Sequence, residues 1–338
     1  MDHLVATTIP LALGTAQWSG NYGINNTSGA PEPSAAQEML NLAMHAGITT
    51  LDTARGYGDS EALIGASLRA IGCQDSFRIV TKLHPKVTGP GATSAGALAN
   101  TGRSLSESRR ALGRQVLDVV MLHRQRHLEA HDGRLWRRLR REREQGLIGA
   151  LGVSAANPEE AWLALEHPEI EVIQVAASLL DQRLARRGFF EAAQEAEKQI
   201  YLRSIFLQGL AFIPPRQLPH KLRGFTQPLA EIRGCITALN CSIEELFVAY
   251  VATLPGCTAV VGCETASQLR GIIAANESTG PSPESLCRLA SRIVSMPARL
   301  LDPSRWSELP SGHAVQPSAA KDLAPARALN GELALPIP

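Results

Sequence analysis

Apolar positions along the chain gather into short runs of strand length, separated by longer stretches with helical spacing. The runs are 9–16 (IPLALGTA), 47–54 (GITTLDTA), 77–83 (FRIVTKL), 116–123 (VLDVVMLH), 148–154 (IGALGVS), 171–176 (EVIQVA), 199–206 (QIYLRSIF) and 257–262 (CTAVVG). None alternates cleanly between apolar and polar, which is the pattern of parallel strands covered on both faces. Helical periodicity fills the gaps at 33–47, from Ser60 (read as an N-cap) to 72, near 101–113, and at 133–146, 157–167, 186–198, 242–254 and 265–276.

Eight strands and eight helices in strict alternation predict an α/β chain folded as a (β/α)8 TIM barrel. The rival is a doubly wound open sheet. It fits less well, because no GxGxxG follows the first run, whose nearest glycine cluster is GTAQWSGNYG. Two regions stand outside the alternation. Residues 208–241, with prolines at 214, 215, 219 and 228, read as a long loop after strand 7. A C-terminal extension begins near 280, where PSPESLCRLASRIVSM reads as one more helix. The expected division is a barrel over 1–300 and a tail over 301–338, partly disordered where it turns Ala/Pro-rich.

At 338 residues and 44% apolar, the chain has ample material for one large core. Its net charge of +1 removes any global electrostatic case for nucleic acid or an acidic membrane. The densest basic stretch, RLWRRLRRER at 134–143, has Leu135 and Leu139 at helical spacing and reads as a solvated helix face. The six cysteines form no CxxC pair, and residues 1–14 lack a cationic region followed by a long apolar one. No uncharged apolar run approaches the ~18 residues of a membrane span. The expected setting is a reducing cytoplasm, without a metal site. Composition is silent on oligomeric state.

Candidate chemistry sits at the ends of strands two, three and four. Asp52 and Tyr57 lie in LDTARGYGDSE, Lys82 in FRIVTKL and His123 at the end of VLDVVMLH. In a barrel these ends share one face. Reducing a carbonyl needs a proton on oxygen and a hydride on carbon. A phenol near an ammonium is a tunable proton donor, a buried ammonium needs a carboxylate, and an imidazole can hold the carbonyl oxygen. No side chain supplies the hydride, so a cofactor is implied.

These residues carry a family likeness. LDTARGYGDSE resembles the aldo-keto reductase motif with Asp and Tyr five positions apart, VTKL its lysine strand and MLH its histidine strand. GTAQW, IGALGVS, VIQVAASLLDQR and RSIFLQGLA resemble the first-, fifth-, sixth- and seventh-strand motifs, in family order over about residues 8–278. The resemblance implies NADP(H) as cofactor, with NAD(H) the alternative, and a small carbonyl compound as substrate. It implies Tyr57 as general acid, Lys82 and Asp52 as its tuning pair and His123 as carbonyl orienter. It also implies cofactor contacts at Gly14, Thr15, Ser154, Gln174, Arg203, Ser204, Phe206, Gly209, Thr265 and Gln268. Three positions depart from the pattern: Ala155 stands for an Asn, Arg203 for a stacking aromatic and Gln268 for a phosphate-binding Arg. Trp18, Tyr22, Arg55, Arg124 and parts of 208–241 are the expected substrate wall, suited to a polar, sugar-like or anionic carbonyl. The rival function is a cofactor-binding regulatory subunit with little turnover.

Overall fold

The computed structural model describes residues 8–309 except Asn21 and Pro90. Eight parallel strands close into a barrel in chain order. They are β1 (Leu11–Gly14), β2 (Thr50–Asp52), β3 (Arg78–Lys82), β4 (Leu117–Leu122), β5 (Ile148–Ser154), β6 (Val172–Ala176), β7 (Gln199–Arg203) and β8 (Cys257–Gly262). Closure is made by β1 on β8, with Leu11 opposite Ala259 and Gly14 opposite Gly262. The helices are α1 (Pro33–His45), α2 (Ser60–Ala70), α3 (Ser94–Leu112), α4 (Ala130–Glu144), α5 (Pro158–Glu166), α6 (Phe189–Glu195), α7 (Thr226–Leu239), α8 (Ile243–Ala252), α9 (Ala266–Glu277) and α10 (Pro283–Arg292).

The unbroken apolar runs are explained by two separate buried layers. Ala12, Val80, Val119, Met121, Ala150, Val172, Tyr201 and Val260 form one cluster, drawn from every strand but β2 and filling the barrel interior. Neighbouring residues of the same strands, such as Leu13, Ile79, Val120 and Leu202, join the far larger cluster between strands and helices, as does Leu51 of β2. Each strand therefore needs apolar side chains on both faces.

Helix boundaries differ from the sequence reading where local polar chemistry decides them. Ser60 is the first residue of α2 rather than its cap, because its hydroxyl is drawn inward to the Thr15 hydroxyl at 2.7 Å. Helix α3 starts at Ser94, earlier than expected, since Thr93 Oγ1 accepts from Gly96 N at 3.1 Å and caps it there. The basic face of α4 is as expected: Leu135, Trp136 and Leu139 are buried. Its arginines meet acids, with Arg138 on Glu142, Arg140 on Glu169 and Arg143 on Glu171.

The long segment after β7 is not an irregular cover. It makes short 3-10 turns and then α7, burying Leu210, Leu218, Leu222, Phe225, Leu229 and Ile232 in the main core. Its successor α8 is fixed by a reciprocal cap, in which Glu245 N donates to Ser242 Oγ and Ser242 N to the Glu245 carboxylate. Past α10, Leu300, Leu301, Trp306 and Leu309 are buried, and Trp306 Nε1 donates to Leu300 O at 2.8 Å. Packing thus runs past residue 300; the Ala/Pro-rich part of the tail lies outside the described residues. No single described helix is long and apolar enough to cross a membrane.

Candidate active site

Parallel pairing brings the ends of β2, β3 and β4 to one rim of the barrel. Asp52 closes β2, Lys82 closes β3 and His123 follows the last residue of β4. Asp52 is held from behind: its carbonyl accepts from Thr15 N at 2.9 Å and from Thr15 Oγ1 at 3.0 Å. Tyr57 lies in the turn leading to α2, where its N–H donates to Ala54 O and its carbonyl accepts from Ser60 N.

Lys82 Nζ donates to Asp52 Oδ1 at 2.7 Å and to Thr53 O at 2.9 Å. The same ammonium lies 5.1 Å from the centre of the Tyr57 ring. The rings of Tyr57 and His123 meet edge to face at 6.1 Å. Gln174 Nε2, from β6, donates to Asp52 Oδ1 at 2.7 Å, so one carboxylate oxygen takes both the ammonium and the amide. The four residues singled out by sequence therefore form one contiguous group.

Their electrostatics sharpen the expected roles. Burial, reinforced by the Asp52 charge, pushes the Tyr57 phenol well above the ordinary tyrosine range, while Arg203 and Arg124 pull it back. Lys82 was expected to do that pulling. In this arrangement its charge is answered by Asp52, and the two arginines take the part. Burial lowers His123 to about 3, with the Lys82 and Arg124 charges adding to it. The phenol is thus protonated and the imidazole neutral at physiological pH. His123 Nδ1 is buried and has no hydrogen-bond partner among the described residues.

A cavity of about 280 Å³ opens beside this group, lined by Asp52, Tyr57, Gln174 and Arg203 at one end and by Glu244, Glu264, Gln268 and Ile272 at the other. Gly14 and Gly262 form part of its floor. A Cβ at Gly14 would meet Val260 Cγ1 at 2.9 Å, so the backbone comes closer there than a side chain permits. The loop after β7 bends through left-handed residues at Ser204, Leu207, Gln208 and Gly209. Among the described residues, the N–H groups of Ile205, Phe206 and Gln208 donate to no other group. Bent backbone with free donors is an anion cradle. These features fit an anionic ligand such as a dinucleotide.

The aldo/keto reductase family profile matches residues 10–286. The chain belongs to the aldo-keto reductase family. A crystal structure from Pseudomonas aeruginosa assigned to the aldo-keto reductases is 25% identical, with a TM-score of 0.57, covering 80% of this chain and 91% of that one. An aldo-keto reductase from Bacillus halodurans in holo form shares the fold at 19% identity and a TM-score of 0.66, covering 85% of this chain and 92% of that one. No curated protein matches the chain significantly. Family membership makes the protein an oxidoreductase of carbonyl chemistry.

Against this aldo-keto reductase frame, the residues expected from sequence divide into two groups. Gly14, Tyr22, Gln174, Arg203, Ser204, Phe206, Gly209 and Gln268 line the cavity with Asp52 and Tyr57. Thr15 does not: it is wholly buried and holds Asp52 and Ser60. Ser154 ends β5, paired in register with Gln174. Thr265 caps α9, its hydroxyl accepting from Gln268 N at 3.3 Å. Trp18 is packed into the core, not displayed as a wall. Arg55 is turned away: Glu61 holds its guanidinium at 2.6 Å and Glu107 lies at 3.7 Å. Arg124 stays near, since its charge reaches both Tyr57 and His123. The α2 carboxylate Glu61 also accepts from Thr81 Oγ1 at 2.7 Å, an arrangement no sequence spacing announced.

Gln17, Glu244 and Glu264 line the cavity and were not singled out from sequence. Gln17, in the first-strand motif, sits where any Cβ at Gly262 would fall, so that glycine makes room for its amide. Gln208 ties the rims together: its carbonyl accepts from Ile24 N at 3.0 Å and its amide donates to the Tyr22 hydroxyl at 3.0 Å. Arg203 Nη2 donates to Ala155 O at 2.9 Å, so the arginine spans the rim to the position where an Asn was expected. Glu244, the second residue of α8, and Glu264, just before α9, also line the cavity.

Proposed function

We propose that the protein reduces an aldehyde or ketone to an alcohol with NAD(P)H, using Tyr57 as the proton donor. The observation that carries this reading is the buried contact of Lys82 with Asp52 at 2.7 Å, beside a phenol 5.1 Å from the same ammonium. When bound, the reduced nicotinamide supplies the hydride. Gly14, Gln174, Arg203 and the loop Ser204–Gly209 are the residues suited to hold it.

The substrate oxygen sits between Tyr57 and His123. Neutral His123 donates a hydrogen bond that fixes the carbonyl and polarises it. The Tyr57 hydroxyl delivers its proton as charge builds on that oxygen. The phenolate left behind is stabilised by the nearby positive charges of Arg203 and Arg124. Asp52 and Gln174 keep the ammonium in place, so no rearrangement is needed at the moment of transfer.

Arg203 and Arg124 also favour a carbonyl compound bearing a carboxylate, phosphate or sugar hydroxyl near its reacting carbon. The complete group of four supports turnover over a purely regulatory, cofactor-sensing role. The test is a screen of neutral and anionic carbonyl compounds with wild type and Tyr57→Phe, following nicotinamide absorbance. Substrate-dependent oxidation lost in Tyr57→Phe is expected; equal rates in both would overturn the assignment.

A further inference from the structure

We propose that Glu264, seconded by Glu244, makes this cavity select NAD(H) over NADP(H), against the preference expected from family resemblance. The inference rests on the dinucleotide reading above. With the nicotinamide at Tyr57, the adenosine half extends to the other end of the cavity, where the wall is Glu244, Glu264, Gln268 and Ile272.

Glu264 is fixed there. Gln268 Oε1 accepts from Glu264 N at 2.7 Å, and Gln268 Nε2 donates to Glu264 Oε2 at 3.2 Å. Both ends of the Gln268 amide thus hold Glu264, and a neutral amide stands where a phosphate-binding arginine was expected. The neighbouring cations are committed elsewhere. Arg270 pairs with Glu38 of α1 at 2.6 Å. Arg233, the cation whose charge meets Glu244, donates to Ala211 O at 3.0 Å. Arg203 is the one Lys or Arg among the described lining residues, and it belongs to the catalytic end.

A ribose 2′-hydroxyl can donate to a carboxylate. A 2′-phosphate cannot, and it brings about 1.5–2 negative charges to a wall lined by two carboxylates, where no lining Lys or Arg faces it. The N-terminus of α9 offers only about half a positive charge in compensation. Repulsion therefore outweighs the helix dipole, and a penalty of about tenfold in affinity or more is expected.

The test is a fluorescence titration of the full-length protein with NADH and with NADPH at constant ionic strength. NADH is expected to bind at least about tenfold more tightly. Glu264→Arg is expected to raise NADPH affinity by about tenfold or more, a gain that misfolding cannot produce, with Glu264→Gln between it and wild type. Tighter NADPH than NADH binding by the wild type overturns the inference while leaving the dinucleotide reading intact. An unchanged ratio in both Glu264→Arg and Glu244→Gln also overturns it. Binding of neither nucleotide overturns both.

Discussion

The Lys82 ammonium lies 2.7 Å from Asp52 Oδ1, with 1% and 6% of the two side chains exposed. A buried ion pair of this kind gives little net stability, but breaking one half leaves a charge stranded. Lys82→Met is therefore expected to lose about 3–5 kcal/mol in urea unfolding. Lys82→Met/Asp52→Leu should lose less than the single variant. A single variant within about 0.5 kcal/mol of wild type would show that the pair is not desolvated.

Arg55 and Glu61 make a second pair at 2.6 Å, with the carboxylate buried and the guanidinium half-buried, and it separates a structural from a substrate role. Glu61 is wholly buried. Arg55→Met is expected to lower stability by about 3 kcal/mol and leave the KM for anionic carbonyl compounds unchanged. Adding Glu61→Gln should restore part of the loss. A raised KM with unaltered melting would return Arg55 to the substrate wall.

Two glycines predict opposite signs for one substitution. A Cβ on Gly65 of α2 would run into the backbone of Ala111 and Leu112 on α3, so Gly65→Ala should cost about 1–3 kcal/mol. A Cβ on Gly271 of α9 meets nothing, and Gly271→Ala should add about 0.5–1 kcal/mol through helix propensity. Thermal melts of both variants check the pair, and equal shifts would contradict the close approach of α2 to α3.

Stability should fall on mild acidification. Burial lowers His123 to about 3 and His127 to about 4, both against an ordinary value of 6.5. Between those limits the unfolded chain binds more protons than the folded one, so unfolding free energy rises with pH. The stabilisation is complete above about 6.5 and is lost as pH falls towards 4 and 3. His127 is 1% exposed, and neither ring nitrogen has a partner among the described residues. His127→Leu should therefore flatten the part of the curve above about pH 4. A slope unchanged in that variant would mean that His127 is charged when folded.

The barrel was legible because burial on both faces forces unbroken apolar runs, and eight such runs are hard to arrange otherwise. Asp52, Tyr57, Lys82 and His123 were legible because strand ends share a rim, so spacing along the chain becomes proximity in space. Trp18 and Arg55 show where this logic stops. Both flank the right motifs, but a side chain can rotate away: Trp18 goes into the core and Arg55 onto Glu61. α7 was missed because three prolines before it and Pro228 in its first turn masked a regular helix. The orientation of Glu264 was invisible as well, since it depends on both ends of one glutamine amide.

The most direct test is single-turnover oxidation of bound reduced nicotinamide by a carbonyl substrate in Tyr57→Phe. The substitution removes one hydroxyl and leaves the ring between Lys82 and His123. If Tyr57 donates the proton, nicotinamide binding stays close to wild type while the single-turnover rate falls by about 10²–10⁴-fold. A rate within a few-fold of wild type, with nicotinamide binding intact, would contradict the assignment of Tyr57.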